Sequence, residues 1–373
     1  MHSILMLDLA SQHRKIQQEL SAAMQEVIES NAFVKGSQIS DFQHNLEKFL
    51  GVRNVIPVGN GTDALQIALM ALGLQPGDEV ILPSFTFVST AEVVALLHLT
   101  PVFVDVRRDT CSISIESIER AITPRTRAII PVHLFGQNAD MEAILKVAQA
   151  HNIYVVEDAC QSIAAEYTFA NGEKTQSGCM GAVGCTSFFP SKNLGAFGDG
   201  GAIFTNDDTL AQTMRMIANH GSCTLYRHEF VGVNSRLDTL QAAVLNVKLR
   251  YLPEYTLARQ TIANQYDSAF FGNPHIVIPA RNSQSAHVFH QYTIQVKNGR
   301  RNELQTHLAQ RGIPTRVYYP QPLHAQRAYS QFPAENCSVS EELCETVLSL
   351  PIHPELSEEQ VQWIVQNVRE ILD

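Results

Sequence analysis

The residue with the clearest chemical potential is Lys192, which lies within residues 187–201, SFFPSKNLGAFGDGG. An apolar run at 183–189 predicts a buried strand that ends at Pro190, and a second apolar run follows at 202–205. Because the glycines between them let other groups approach closely, a lysine there could form a Schiff base with a carbonyl compound. The alternative is a solvated loop lysine, since most lysines lie on the surface.

A second group of residues could bind phosphate. Gly59-Asn60-Gly61-Thr62 lies between a predicted strand at 54–58 and an apolar helix. The free N–H groups and dipole of the helix start, with the Thr62 hydroxyl, suit an anion, and Ser187 could add a further hydroxyl. A simple capped turn is the alternative. The stretch is not a P-loop, because no Gly-Lys-Ser/Thr follows it.

Asp158 follows a predicted buried strand at 153–157. Ligands of open parallel sheets bind at the carboxyl ends of the strands, where an aspartate could hold a proton on a heteroaromatic nitrogen. Gln161 could reach the same ligand, and Phe87, after another strand, could cover a flat ring. The alternatives are that Asp158 caps a helix and that Phe87 belongs to the core.

Two other kinds of site are disfavoured by the sequence. His287 and His290 have HxxH spacing, but the segment leads into a predicted strand, in which the two rings would face opposite ways. No carboxylate follows at helical spacing, so no metal site is predicted. A serine hydrolase of the nucleophile-elbow type is not expected, since the sequence contains no GxSxG.

The elements that must position these residues alternate between short apolar strands and amphipathic helices. Such alternation predicts a largely parallel sheet with helices on both faces. Two helices, at 11–29 and near 42–50, are expected before the first strand. The seven predicted strands are 54–58, 79–82, 102–105, 128–132, 153–157, 183–188 and 202–205, with helices at 90–99, 114–122 and 140–150 among them.

The pattern changes near residue 250. A long helix is predicted at 237–252, ending at Pro253, followed by strands at 276–278, 291–296 and 315–318 and helices at 302–311, 340–350 and 357–372. The sequence therefore predicts a large α/β domain over residues 1–250, including the N-terminal helical segment, and a smaller α+β domain over 251–373.

Bulk composition narrows the class of protein. The 373 residues carry a net charge of −10, which argues against nucleic-acid binding, and the longest apolar run is too short for a membrane span. The seven cysteines are an odd number without CxxC spacing, which suggests reduced thiols. Because the apolar start is short and interrupted by Asp8, no signal peptide is predicted, and we expect a cytoplasmic protein.

Taken together, five stretches resemble the DegT/StrS-type nucleotide-sugar aminotransferases, and they occur in that family's order and spacing. The resemblance implies a pyridoxal-phosphate enzyme of fold type I, the aspartate-aminotransferase fold, with a mostly parallel seven-stranded sheet. The stretches are 59–65 (GNGTDAL), 83–87 (PSFTF), 157–161 (EDACQ), 186–192 (TSFFPSK) and 234–238 (NSRLD).

The resemblance also implies roles for individual residues. Lys192 forms the Schiff base with the cofactor, which alternates between pyridoxal and pyridoxamine phosphate, and Asp158 pairs with the ring nitrogen; these are the catalytic residues. The remaining implied ligands are Gly61, Thr62 and Ser187 for the cofactor phosphate, Gln161 and Phe87 for its ring, Asn234 for the phosphate in the neighbouring subunit, and Arg236 and Tyr319 for the nucleotide sugar.

The implied activity is transamination at C3 of a keto sugar linked to dTDP or UDP, with L-glutamate as amino donor, in polysaccharide biosynthesis. The Asn234 role implies a homodimer with shared active sites. Amination at C4, or dehydration on the same fold, is the alternative, although the dehydrating branch replaces the lysine with histidine. A non-enzymatic ligand sensor is the third possibility.

Overall fold

The computed structural model describes residues 4–372 and is built around a seven-stranded sheet. Its strands lie in the order β1-β7-β6-β5-β4-β2-β3. Only β7 runs against the others, so the prediction of a mostly parallel seven-stranded sheet is confirmed. The strands are β1 Asn54–Val58, β2 Glu79–Pro83, β3 Thr100–Val104, β4 Thr126–Ile129, β5 Tyr154–Asp158, β6 Val183–Ser187 and β7 Gly201–Thr205.

Helices cover both faces of this sheet. In β2, Val80 and Leu82 join one apolar core, while Ile81 joins another on the opposite face, as expected for a strand buried on both sides. The helices of this part of the chain are α1 Leu9–Lys15, α2 Gln17–Ser30, α3 Ser37–Leu50, α4 Gly61–Ala71, α5 Ser89–Leu96, α6 Ile115–Ala121, α7 Met141–His151, α8 Asp208–Ala218 and α9 Thr239–Leu249.

The two helices nearest the N-terminus differ from the prediction of one helix at 11–29. The chain bends at Ile16, which is buried against Val244 and Val247 of α9. This burial explains the bend, because packing on α9 determines the direction of the chain where the apolar periodicity would have allowed a single helix.

The predicted single helix at 237–252 is also wrong. It is α9 followed by a new helix, α10, at Leu252–Phe270, with Pro253 in the first turn of α10. A proline in the first turn breaks no helical hydrogen bond, so Pro253 begins a helix here and does not end one.

The C-terminal part contains a three-stranded antiparallel sheet, β8 Ile276–Val277, β9 Tyr292–Val296 and β10 Val347–Leu350. The predicted strand at 315–318 is only an isolated bridge between Arg316 and Ser349. The predicted helix at 340–350 ends earlier, because its last residues pair with β9. The helices of this part are α11 Arg301–Gln310, α12 Ser338–Thr346 and α13 Glu358–Leu372.

A second apolar core fills the space between this small sheet and its helices. Helix α10 connects the two regions: Leu252 packs into the core of the large sheet and Phe270 into the second core. The division into domains at residue 250 remains a prediction, and its outer limits, residues 1–3 and 373, lie outside the described residues.

The helices of the described residues do not meet the requirements for crossing a membrane. Over residues 4–372, none of the helices combines the length and the apolar character that crossing a bilayer requires.

Candidate active site

A cavity of about 900 Å³ opens where several strands end and helix α4 begins. Its position agrees with the rule that ligands bind at the carboxyl ends of parallel strands. Eight of the ten predicted site residues line it: Gly61, Thr62, Phe87, Asp158, Gln161, Ser187, Lys192 and Tyr319.

Lys192 reaches this cavity from the turn that follows β6. Its backbone N–H donates to Phe189 O at 2.8 Å, which closes the turn. Burial lowers the pKa of the Lys192 amine, and the nearby Cys160 and Asp158 offset part of that shift. A larger fraction of the amine is therefore neutral at neutral pH, as a nucleophile or a proton acceptor needs to be.

Asp158 lies at the end of β5, next to β6, and only 5% of the residue is exposed. Thr90 Oγ1 donates to its Oδ2 at 2.8 Å, and the Cys160 N–H donates to its Oδ1 at 3.2 Å. A turn, not a helix, follows Asp158, so the interpretation as a helix cap is wrong. Two donors on a nearly buried carboxylate keep it oriented beside the cavity that Lys192 also lines.

The start of α4 has the geometry of an anion cradle. Asn60 caps the helix by accepting from the Asp63 N–H at 2.8 Å, and the Thr62 and Ser89 hydroxyls lie 2.9 Å apart. A Cβ atom on Gly61 would come within 2.8 Å of the Ser187 Cβ. The absence of a side chain at Gly61 therefore keeps this end of the cavity open, and its first-turn N–H groups and hydroxyls fit a phosphate.

One wall of the cavity is aromatic. The Gln161 side chain accepts from the Phe135 N–H at 2.9 Å and donates to the Tyr319 hydroxyl at 3.1 Å. These bonds fix the side chains of Gln161 and Tyr319. Phe87 is 54% exposed and its ring centroid lies 6.3 Å from that of Tyr319. Phe87 is therefore not a core residue, and this wall suits a planar ring.

Asn234 and Arg236 do not line this cavity in the single chain. Both residues are exposed, and Arg236 borders a separate groove of about 430 Å³. Between them, Ser235 accepts from the Gly59 N–H at 2.9 Å and donates to Asp63 at 2.7 Å. The segment is thus attached to the phosphate-cradle loop while its two flanking residues lie at the surface.

Sequence reasoning missed two residues near the reactive groups. Thr90, which donates to Asp158, lies in α5, and its position after the 83–87 stretch at a strand end was the available signal. His290 lines the cavity, whereas His287 stacks on Phe289 with ring centroids 3.8 Å apart. The segment precedes β9 and is not part of it. No group of three potential metal ligands occurs within residues 4–372.

Comparisons with known proteins agree with this geometry. The sequence profile of the DegT/DnrJ/EryC1/StrS aminotransferase family matches residues 14–369. The UDP-2-acetamido-2-deoxy-3-oxo-D-glucuronate aminotransferase of Pseudomonas aeruginosa is 44% identical, with 96% of this chain and 97% of that protein covered. The UDP-N-acetyl-3-dehydro-alpha-D-glucosamine 3-aminotransferase of Acidithiobacillus ferrooxidans is 42% identical, covering 99% and 98%.

A similar solved structure is that of DesV from Streptomyces venezuelae, in complex with a ketimine intermediate. It superposes with a TM-score of 0.95 at 39% identity and covers 100% of this chain and 99% of that one.

Proposed function

Since the chain belongs to the DegT/DnrJ/EryC1/StrS aminotransferase family, whose members are pyridoxal-phosphate enzymes, we propose that it transfers an amino group to C3 of a nucleotide-linked keto sugar. The observation that carries the proposal is that Lys192, Asp158 and the Gly61 cradle line one cavity. Each of these groups suits a different part of pyridoxal phosphate: its aldehyde, its ring nitrogen and its phosphate.

The bound cofactor supplies a carbonyl that takes up nitrogen and a protonated ring that accepts electrons. Asp158 would hold the proton on the ring nitrogen, since a fixed carboxylate favours the cationic form. The Gly61 N–H and the Thr62 and Ser187 hydroxyls would hold the phosphate, and Phe87 would cover one ring face.

Lys192 has two tasks in this scheme. Its amine would hold the cofactor covalently when no substrate is bound. Once released, the amine would accept a proton from the carbon that loses it and deliver it to the carbon that receives it, first as base and then as acid. Burial lowers the pKa of Lys192, which favours the proton-accepting step, because the neutral amine forms more readily than in an ordinary lysine.

The amino donor that we propose is L-glutamate, and the acceptor is a 3-keto sugar on UDP or dTDP. The chain carries ten net negative charges, so a diphosphate substrate needs local cations. Arg236, with Lys35 and Arg215 in the same groove, supplies positive charge at the surface near the attached Ser235.

The exposed Asn234 supports a homodimer in which each site borrows residues from the neighbouring subunit. Its backbone is fixed to the cradle loop through Ser235, yet its side chain has no hydrogen-bond partner within residues 4–372. A second copy that placed its cofactor phosphate against Asn234 would complete the site. We also propose a cytoplasmic location, where thiols stay reduced, since all seven cysteines are free.

The test is a panel of sugar nucleotides incubated with the cofactor-loaded protein and L-glutamate. UDP-linked 3-keto hexuronate, UDP-linked 3-keto N-acetylhexosamine and a dTDP-linked 3-keto-6-deoxyhexose should release 2-oxoglutarate, at rates that identify the substrate. Lys192→Ala should lose turnover, while Lys146→Ala, an exposed position on α7 outside the cavity and the groove, should keep its kcat. A protein that pyridoxal phosphate cannot colour yellow, or that releases water and no 2-oxoglutarate, would refute the proposal.

A further inference from the structure

His290 is the buried titratable group of the cavity to which the scheme above gives no role. It is only 8% exposed and lines the same cavity as Lys192. It lies 98 positions further along the chain, so the fold alone brings the two residues together.

The protonation state of the His290 ring follows from its neighbour Asn193. The Asn193 Nδ2 donates to Val288 O at 3.2 Å, and because a carbonyl can only accept, this bond fixes the orientation of the amide. The Asn193 Oδ1 therefore faces His290 Nδ1 at 3.3 Å, and Nδ1 must carry the proton that is donated. In a neutral ring, Nε2 is then left as an acceptor.

Burial, assisted by two nearby cations, favours the neutral form of this ring. Burial, the positive charge of Lys192 and that of Arg259 on α10 hold the pKa of His290 well below its ordinary value. Nε2 has no hydrogen-bond partner within residues 4–372, yet it is not among the fully enclosed polar atoms without a partner, so it is open to the cavity. It presents a lone pair and cannot retain a proton at neutral pH.

The backbone around His290 is held from several sides. Arg259 donates to Phe289 O at 3.2 Å, the Val288 N–H donates to Gly136 O at 2.8 Å, and the Phe289 N–H donates to His287 Nδ1 at 3.0 Å. Phe289 has a φ of 47°, a left-handed conformation that is costly for a bulky residue and persists only when its surroundings enforce it. The fold thus maintains a strained segment that holds His290 at the wall of the cavity that Lys192 also lines.

We propose that His290 is a positioning residue whose Nε2 accepts a hydrogen bond from the Lys192 amine in the cofactor-loaded enzyme, once that amine has been released from the cofactor. The bond leaves the lone pair of the amine directed away from the imidazole, toward the carbons between which a proton must move. The inference rests on the proposed function of Lys192, but the state of the amine can be measured without turnover.

Two variants separate this role from simple packing. His290→Asn keeps an amide N–H where Nδ1 donates to Asn193 and has no atom where Nε2 lies. His290→Gln places an amide oxygen at the Nε2 position and gives up the bond to Asn193. If His290 is only structural, the Asn variant should retain the higher kcat. If His290 positions Lys192, the Gln variant should retain the higher kcat.

The measurement uses the full-length enzyme loaded with pyridoxamine phosphate, in which Lys192 is a free amine. The pH dependence of its modification by trinitrobenzenesulfonate, followed by peptide mass spectrometry, gives its pKa. An acceptor stabilises an ammonium more than an amine, so His290→Asn should lower that pKa by about one unit and kcat by about tenfold, with KM unchanged. His290→Gln should stay within about threefold of the wild-type kcat.

A wild-type Lys192 pKa in the Asn variant, or a Gln variant impaired more than the Asn variant, would overturn the proposal. If His290→Asn fails to fold by thermal unfolding, His290→Leu replaces it in the comparison with Gln. If the wild-type enzyme has no aminotransferase activity, the proposed function fails, while the pKa comparison still decides whether His290 acts on Lys192.

Discussion

Thr90 and the backbone of Cys160 determine the orientation of the Asp158 carboxylate. The Thr90 hydroxyl donates to Asp158 Oδ2, and the Cys160 N–H donates to its Oδ1, so neither carboxylate oxygen is free to rotate. The orientation of the buried Asp158 carboxylate depends on these donors, whereas its proposed role in the reaction depends on its negative charge. The two contributions can be separated by isosteric substitutions at the two positions.

Asp158→Asn should lower kcat by about a hundredfold or more, because it keeps the shape of the side chain and removes the charge that would hold a proton on the cofactor ring. Thr90→Val is the matched variant: it removes one hydrogen bond and leaves the charge, so kcat should fall by only about tenfold. Steady-state kinetics on cofactor-saturated protein decides between them. Equal losses in the two variants would contradict the charge argument.

Gly61 provides a second test at this scale, since its role is to leave space. A Cβ there would lie 2.8 Å from Ser187 Cβ and 2.9 Å from Cys160 Sγ, so Gly61→Ala should force the cradle apart and weaken cofactor binding by about tenfold or more. The control is Gly59→Ala in the same loop, whose nearest atoms would be 3.3 Å away. Fluorescence titration with pyridoxal phosphate measures both affinities, and equal affinities would show that space at Gly61 is not limiting.

At the scale of elements, the site forms where the ends of two strands meet the start of a helix. Strands β5 and β6 are parallel neighbours, so Asp158 and Ser187 leave the sheet at the same edge, and the start of α4 lies against them. The loop after β6 is anchored from a helix on the other side: Lys248 of α9 donates to Gly195 O and lies 3.3 Å from His13 Nε2. This anchor holds the loop that carries Lys192.

The Lys248 anchor has a measurable pH signature. Burial lowers the pKa of Lys248 to about 8, below the value of an unfolded lysine. Between about pH 8 and 10.5 the unfolded chain holds a proton that the folded chain has released, so the wild type gains stability with rising pH. Relative to Lys248→Met, that gain should be about 3 kcal/mol by pH 10.5.

Denaturant unfolding of cofactor-free protein at pH 7.5 and pH 10.5, at one protein concentration, measures the gain for both variants. Other titrating groups are shared, so they cancel in the difference. A difference in unfolding free energy that stays constant between the two pH values would mean that Lys248 is not buried as a charge-sensitive group.

The sequence was sufficient for the sheet and for residues at strand ends, because buried parallel strands are continuous apolar runs and their last residues face the ligand edge. It failed where tertiary contacts outweighed local pattern. Residues 347–350 continue the apolar spacing of a helix, but pairing with β9 makes them a strand. His290 could not be predicted, because its position in the cavity depends on how the 287–290 segment is held by Arg259 and Gly136.

For the whole molecule, the large exposed apolar side chains suggest a partner subunit. Phe87 and Phe189 line the cavity and are 54% and 51% exposed, and Leu225 and Tyr226 lie at the exposed tip of a hairpin that follows the bridge between Asn219 and Asn234. Large apolar side chains this exposed are often covered in an assembly, so their exposure agrees with the proposed dimer.

Subunit complementation tests whether the sites are shared. In a mixed dimer of Lys192→Ala and Asn234→Asp protomers, one site combines both substitutions and the other is intact, because its lysine and its asparagine come from different chains. Asn234→Asp is nearly isosteric and should repel the cofactor phosphate, so each parent should be inactive at limiting cofactor. Random mixing makes half the dimers mixed, and activity should return to about a quarter of the wild-type value.

Partial unfolding and refolding of the two variants together, with native mass spectrometry to count mixed dimers, makes the experiment quantitative. The control pairs Lys192→Ala with the double variant Lys192→Ala/Asn234→Asp, which contains no intact lysine and should stay inactive. If mixed dimers form and activity does not exceed the sum of the parents, Asn234 serves its own subunit or no site at all. An active protein that stays monomeric at all concentrations would refute the shared site directly, since the exposed Asn234 would then have no cofactor to contact.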